Sequence, residues 1–183
     1  MEFIKKEPKI FIISGKARSG KTETSKIIEN YYKQKKCITI SFAYYLKDYI
    51  KRIAGWDGNE NTKPRELLQN LGIDLIKNKI DDKLLINRIL QDIEVFSYFY
   101  DIIIISDARL VDEIESIKAK YNNSISIRVN REVSDNGLTE EEKNHITEIG
   151  LDDYHNFDYI VNNYSYDSLI EQIKNIMKVV ENA

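Results

Sequence analysis

Short apolar runs alternate with longer stretches of helical spacing along the whole chain. Ile10-Phe11-Ile12-Ile13 is a continuous apolar run, the pattern of a strand buried on both faces of a sheet. Thr22 to Tyr32 then reads as a helix, and Cys37 to Phe42 as a second, β-branched strand. From Phe42 to Ala54 apolar residues recur at 42, 46, 49, 50 and 53, a helical period that Gly55 ends. Gly55 to Thr62 is polar and rich in turn residues, so an exposed loop is expected. Pro64 is expected in the first turn of a helix over 64–79, where its missing N–H costs nothing. That helix carries apolar positions 67, 68, 71, 75, 76 and 80, and a second helical run covers 82–97. No strand separates the two, so this region is a helical excursion from an α/β core.

Asp101 to Asp107 returns to the core with four consecutive isoleucines. A helix over Val111–Lys120, a strand over Ser124–Val129, a strand over Phe157–Val161 and a helix over Tyr166–Val180 complete the pattern. Strands alternating with helices predict an α/β fold: a parallel sheet of about five strands with right-handed crossovers. The connection from Asn130 to Asn156 is long. Thr139-Glu140-Glu141-Glu142 is a capping box within it, predicting a short helix that ends at Gly150.

One stretch adds chemistry to this skeleton. Gly15-Lys16-Ala17-Arg18-Ser19-Gly20-Lys21-Thr22 fills every fixed position of the phosphate-binding P-loop, and it lies between a strand and a helix as that motif requires. Gly15 and Gly20 let successive N–H groups turn inward toward phosphate oxygens. Lys21 supplies a cation for the β and γ phosphates, and the Thr22 hydroxyl can ligate Mg²⁺. The helix N-terminus favours the same anion. The fold class sharpens to a P-loop NTPase, with a nucleoside triphosphate as ligand.

Charge and composition narrow the partners. A net charge of −3 and a pI near 5.6 in 183 residues argue against a surface that coats nucleic acid. The first residues are charged where a leader would be apolar, and no stretch reaches the length of a membrane span. The single cysteine, Cys37, lies in an apolar run and reads as a structural thiol of a reducing compartment. A cytoplasmic protein is expected, acting on small molecules without nucleic-acid polymer or membrane; a homodimer is left open. His145 and His155 lack metal-ligand spacing, which disfavours a zinc site.

A second constellation lies at the end of the isoleucine strand. Asp107 stands at its carboxyl end, where open α/β sheets bind ligands, and could hold Mg²⁺ directly or through water. Arg109 could clamp a phosphate bidentately; alternatively, the two residues pair to cap the next helix at the surface. Arg18 either covers the transferring group or points to solvent. Lys47, Arg65, Gln69 and Arg88 sit on helices and either face an acceptor or are solvated. Asp152-Asp153 reads as readily as a turn or cap.

Several of these residues together resemble a family. Phe11 to Thr22 is similar to the P-loop of phage-type deoxynucleoside monophosphate kinases, and Phe42-Ala43-Tyr44-Tyr45-Leu46-Lys47 to the FA-x-x-LK stretch after their second strand. Pro64 to Gly72 resembles their PRELLQ-x-x-G helix, Ser106-Asp107-Ala108-Arg109 their SD-x-R, and His145 to Tyr154 their H-x-SE-x-x-LDDY, with Thr147 replacing serine. Animal-type phosphomevalonate kinases are similar in the loop, in SD-x-R and in Glu148 to Asp152. Both resemblances imply ATP-dependent phosphorylation of a phosphate monoester.

The resemblance implies a single kinase domain over 1–183: core segments 9–42, 100–130 and 157–183, an acceptor-binding helical region of about 43–99, and a lid of about 131–150. Gly15 to Thr22 would bind ATP, with Lys21 on the β and γ phosphates and Thr22 and Asp107 organising Mg²⁺. Arg18 and Arg109 would neutralise the transferring phosphoryl and the acceptor phosphate. Lys47, Arg65 and Gln69 would line the acceptor pocket, and Arg131 would close from the lid. A phosphomevalonate kinase is the alternative within this class. A P-loop ATPase or nucleotide-dependent regulatory module, transferring phosphate only to water, is the alternative outside it.

Overall fold

The computed structural model describes residues 2–131 and 137–182. Five parallel strands, β1 (Lys9–Ser14), β2 (Cys37–Ile40), β3 (Ile102–Ala108), β4 (Ser124–Asn130) and β5 (Tyr159–Asn162), form one sheet in the order β2-β3-β1-β4-β5. The expected parallel α/β sheet is therefore present, with β1 at its centre. In register, Ser14 at the end of β1 lies opposite Ala108 on β3 and Arg128 on β4. Three strand ends thus converge on one point of the carboxyl edge.

Alternation along the buried strands feeds two cores. Phe11, Ile13, Ile102, Ile104, Ile127 and Val129 face α1 (Lys21–Tyr31) and α8 (Tyr166–Asn182). Ile10, Ile12, Ile103 and Ile105 face the other side, against α4 (Leu84–Phe96) and α5 (Val111–Lys120). Ile102 to Ile105 are at most 1% exposed, so the isoleucine run fills both faces of β3.

The helical excursion has its own small core of Ile50, Trp56, Leu68, Leu71 and Ile76. Trp56 is buried there, and Glu60–Thr62 forms a 3₁₀ turn, so the expected loop is more ordered than its polarity suggested. Its first helix, α2, spans Phe42–Ala54 as the apolar period predicts. The following helix departs from expectation. Pro64 stands just before α3 (Arg65–Asn70) rather than inside its first turn, and from Leu71 to Ile80 the winding widens to a π-helix. The π stretch buries Leu71, Gly72 and Ile76 and leaves Leu75 and Ile80 exposed. Gly72 permits the contact, because a Cβ there would meet Leu46 Cδ1 at 3.1 Å.

Between β4 and β5, the expected short helix is two, α6 (Glu140–Asn144) and α7 (Ile146–Ile149), separated at His145. Thr139 forms the predicted capping box with Glu142. Residues 132–136 of the expected lid lie outside the described residues. The last strand begins at Tyr159 rather than Phe157, whose ring packs edge-on against Tyr154 at 4.7 Å.

Candidate active site

The Gly15–Thr22 loop joins β1 to α1 at the convergence of strand ends. Gly15 (φ 152°) and Gly20 (φ 109°) both have positive φ, and neither site admits a side chain. A Cβ on Gly15 would lie 2.5 Å from the Val129 carbonyl; one on Gly20 would lie 2.4 Å from Asn163 Nδ2. Arg18 also has positive φ, at 60°, a conformation that costs a non-glycine residue on the order of 1 kcal/mol or more. The loop is thus held open against its own preference.

Among the described residues, the amides of Arg18, Gly20, Lys21 and Thr22 have no hydrogen-bond acceptor. The buried Ser19 hydroxyl is likewise without a partner. Lys21 curls back, donating from Nζ to the Gly15 carbonyl at 2.8 Å and the Lys16 carbonyl at 2.7 Å. Burial pulls its pKa down to about 7, and the neighbouring Arg109 cation adds to that, while Glu148 and Asp107 oppose it. A cationic nest with unsatisfied donors fits a multiply charged anion. Beside it opens a cleft of about 530 Å³ lined by Arg18, Ser19, Lys21, Thr22, Arg131 and Tyr166.

Asp107 lies where expected, at the end of β3, but it caps α2 rather than the helix that follows it. Its two carboxylate oxygens accept the amides of Phe42 at 2.8 Å and Ala43 at 2.9 Å. Burial pushes its carboxyl up, against the two amide bonds that favour its charged form. Arg109 donates from Nη1 to Glu148 Oε1 at 2.5 Å and to the Thr147 carbonyl at 3.1 Å. Its own amide, with that of Leu110, is held by the buried carboxylate of Glu113.

Of the residues expected to line the acceptor pocket, Gln69 is joined to this centre, its Nε2 reaching Thr147 Oγ1 at 3.3 Å. Arg65 lies one turn before Gln69 on α3 and is half-buried. Lys47 instead pairs with Glu60 at 2.6 Å, which Lys63 also approaches at 3.2 Å. Arg88 stacks over Tyr45, 5.1 Å from the ring centroid. Arg18 and Thr22 are exposed, the Arg18 guanidinium lying against Gly137; Arg131 is exposed and lines the cleft.

Four further residues gather around the loop, and only Glu148 and Asp152 are marked in the sequence, by the resemblance that includes them. Buried Asn163, after β5, donates from Nδ2 to the Ser19 carbonyl at 2.8 Å and steadies the loop from beneath. Arg128, at the end of β4, is buried and faces Lys21 and Arg109. Asp152 holds Lys16 at 2.7 Å and Arg128 at 3.2 Å, so it is a bridge rather than only a turn residue. Glu148 is buried between the Ala17 amide, at 2.8 Å, and Arg109. Each pairs segments far apart in the chain, which no local pattern records.

A central β1, a glycine-hinged loop entering α1 and arginines at the flanking strand ends define a P-loop kinase. Solved structures agree on the fold. The chain is similar to the APS kinase CysC of Mycobacterium tuberculosis in complex with AMPPNP and APS (TM-score 0.55, 11% identity, covering 96% of this chain and 99% of that one). It is also similar to a gluconokinase of Sinorhizobium meliloti 1021 (TM-score 0.54, 10% identity, 97% and 96%). TT1252 of Thermus thermophilus is a further match (TM-score 0.55, 12% identity, 94% and 98%). No curated protein matches by sequence. The profile of the deoxynucleotide monophosphate kinase family matches residues 32–176, and the chain belongs to that family. The match begins after the Gly15–Thr22 loop, so the loop and the family are independent observations that agree on a phosphotransferase.

No helix among the described residues is long and apolar enough to cross a membrane.

Proposed function

We propose that this chain transfers the terminal phosphoryl group of ATP to a deoxynucleoside monophosphate, giving the diphosphate and ADP. The observation that carries this reading is the open amide nest around Lys21, facing Arg109 across the edge of the sheet from which the helical region departs, in a chain of this family. The nest and Lys21 would hold the β and γ phosphates, and the 530 Å³ cleft past Thr22 would hold the rest of ATP. An oxygen of the acceptor monophosphate attacks the γ phosphorus as the bond to the β–γ bridging oxygen breaks. The acceptor oxygen is already ionised near neutral pH, so the step needs charge neutralisation and alignment more than a base. Lys21, Arg18 and Arg109 would be the cations that supply it. Gln69 and Arg65 line the acceptor side, Lys47 marks its outer end, and Arg131 closes over ATP from the lid.

Magnesium fits this donor set as a passenger of the triphosphate. Among the described residues no three acidic, histidine or cysteine side chains gather to hold a metal. The Thr22 hydroxyl and the remaining lone pairs of Asp107 would contribute, with phosphate oxygens and water completing the shell. The ion would neutralise charge on the transferring group.

The test is ADP release measured against a panel of deoxy- and ribonucleoside monophosphates and 5-phosphomevalonate. Stimulation by one or more deoxynucleotides is expected. Stimulation by phosphomevalonate alone would move the chain to that acceptor, and turnover without any acceptor would make it an ATPase.

A further inference from the structure

Two carboxylates four residues apart each tie the phosphate loop to an arginine at the end of a strand flanking β1. Asp152 joins Lys16 to Arg128, and Glu148 joins the Ala17 amide to Arg109. The first bridge is more than a third exposed on both the Lys16 and Asp152 side chains, so solvent screens it. The second is enclosed: the Glu148 side chain is 7% exposed. A charge-assisted contact there is strong, and removing Arg109 leaves a buried carboxylate with only the Ala17 amide to hold it.

We propose that Glu148 is a positioning residue that sets the Arg109 guanidinium for phosphoryl transfer; this rests on the kinase reading above. The geometry assigns the role. Nη1 of Arg109 donates to both Glu148 Oε1 and the Thr147 carbonyl. Its Nη2 and Nε hydrogens have no acceptor among the described residues. Those two lie along one edge of the guanidinium plane, and that edge matches two oxygens of a phosphate. Because Oε2 of the same carboxylate is fastened to the loop amide, the open edge is fixed relative to the loop that holds the donor phosphates. Glu148 does not act as a base. Each of its oxygens already accepts a hydrogen bond, and an ionised acceptor phosphate carries no proton to remove. A second carboxylate on the phosphates would only repel them, so its value lies in orienting the arginine.

The experiment is a double-mutant cycle of Glu148→Gln and Arg109→Ala in the full chain, read as kcat and as KM for ATP and for the best acceptor. Gln keeps the size and one acceptor oxygen but cannot hold both partners with charge, and urea unfolding confirms that each variant folds. Expected for E148Q is a fall in kcat of about tenfold or more, with KM for ATP changed less than about threefold. In the R109A background the same change costs less than about threefold, since there is no guanidinium left to orient. Additive losses would show that Glu148 acts apart from Arg109, and an E148Q enzyme as fast as wild type or faster would make the carboxylate a brake; either overturns the proposal. A wild-type chain inactive on every monophosphate removes the kinase reading itself and this role with it.

Discussion

The carboxylate of Asp107 accepts the backbone amide of Phe42 at 2.8 Å, so a residue near the end of β3 also begins α2. With the Ala43 amide on its other oxygen and the Tyr44 amide on Ser41 Oγ, the first turn of α2 is almost fully satisfied. The helical region that α2 opens is thereby fixed to the edge that carries Arg109. Asp107→Ala should strand two amides and destabilise the fold by about 2 kcal/mol. Asp107→Asn, which keeps one acceptor oxygen, should lose about half of that. The readout is the urea midpoint at unchanged slope; an alanine variant as stable as wild type would mean water replaces the cap.

Lys21 carries the sharpest functional expectation. Lys21→Ala should abolish turnover and leave the unfolding midpoint within about 1 kcal/mol of wild type, because the side chain hydrogen-bonds only to loop carbonyls. The depressed pKa of about 7 adds a pH signature. Phosphate binds the protonated amine, so ATP binding should draw in a proton when the free lysine has lost it. Uptake should be small at pH 6 and most of one proton at pH 8, and ATP affinity should weaken as pH rises past 7. Calorimetry in buffers of different ionisation heat measures this, and Lys21→Ala should show no uptake.

Arg109→Ala should lower kcat/KM by two or more powers of ten, several kcal/mol of transition-state stabilisation. Arg109→Lys should recover little, since a point charge cannot hold Glu148 and the Thr147 carbonyl while presenting a planar edge. A loss below about tenfold in the alanine variant would leave Arg109 only its structural part, in which its own amide helps to start α5.

These predictions divide between what a linear pattern records and what it does not. The loop was legible because its function needs fixed residues at fixed spacing between a strand and a helix, and Ile102 to Ile105 marked a strand covered on both faces. Asp107 and Arg109 were legible by position, at the end of that strand, although the helix that Asp107 caps was not. Glu148 and Ala17 lie 131 residues apart, and their contact depends on how α7 crosses the sheet edge. Gln69 reaches Thr147 across 78 residues for the same reason. The π-helical stretch could not be read because apolar positions 71, 75, 76 and 80 fit an ordinary helix equally well.

Glu113 makes a prediction about stability rather than rate. Its carboxylate is buried at the start of α5, with one oxygen accepting the amides of Arg109 at 2.7 Å and Leu110 at 3.1 Å. Burial, opposed by those two amides and reinforced by the nearby Asp107 charge, raises its pKa to about 8. The folded state therefore keeps a proton that the unfolded chain releases near pH 4.5. Its contribution is fully present below pH 4.5 and is lost as pH rises through 8. Glu113→Gln carries no titrating proton, and its single amide oxygen can accept both backbone donors. The variant should therefore gain on wild type between pH 5 and pH 9 by on the order of 4 kcal/mol. Urea unfolding of both proteins at pH 5, 7 and 9 reads the difference. Parallel pH profiles would show that Glu113 is ionised when folded, with its two amide bonds outweighing the cost of burying the charge.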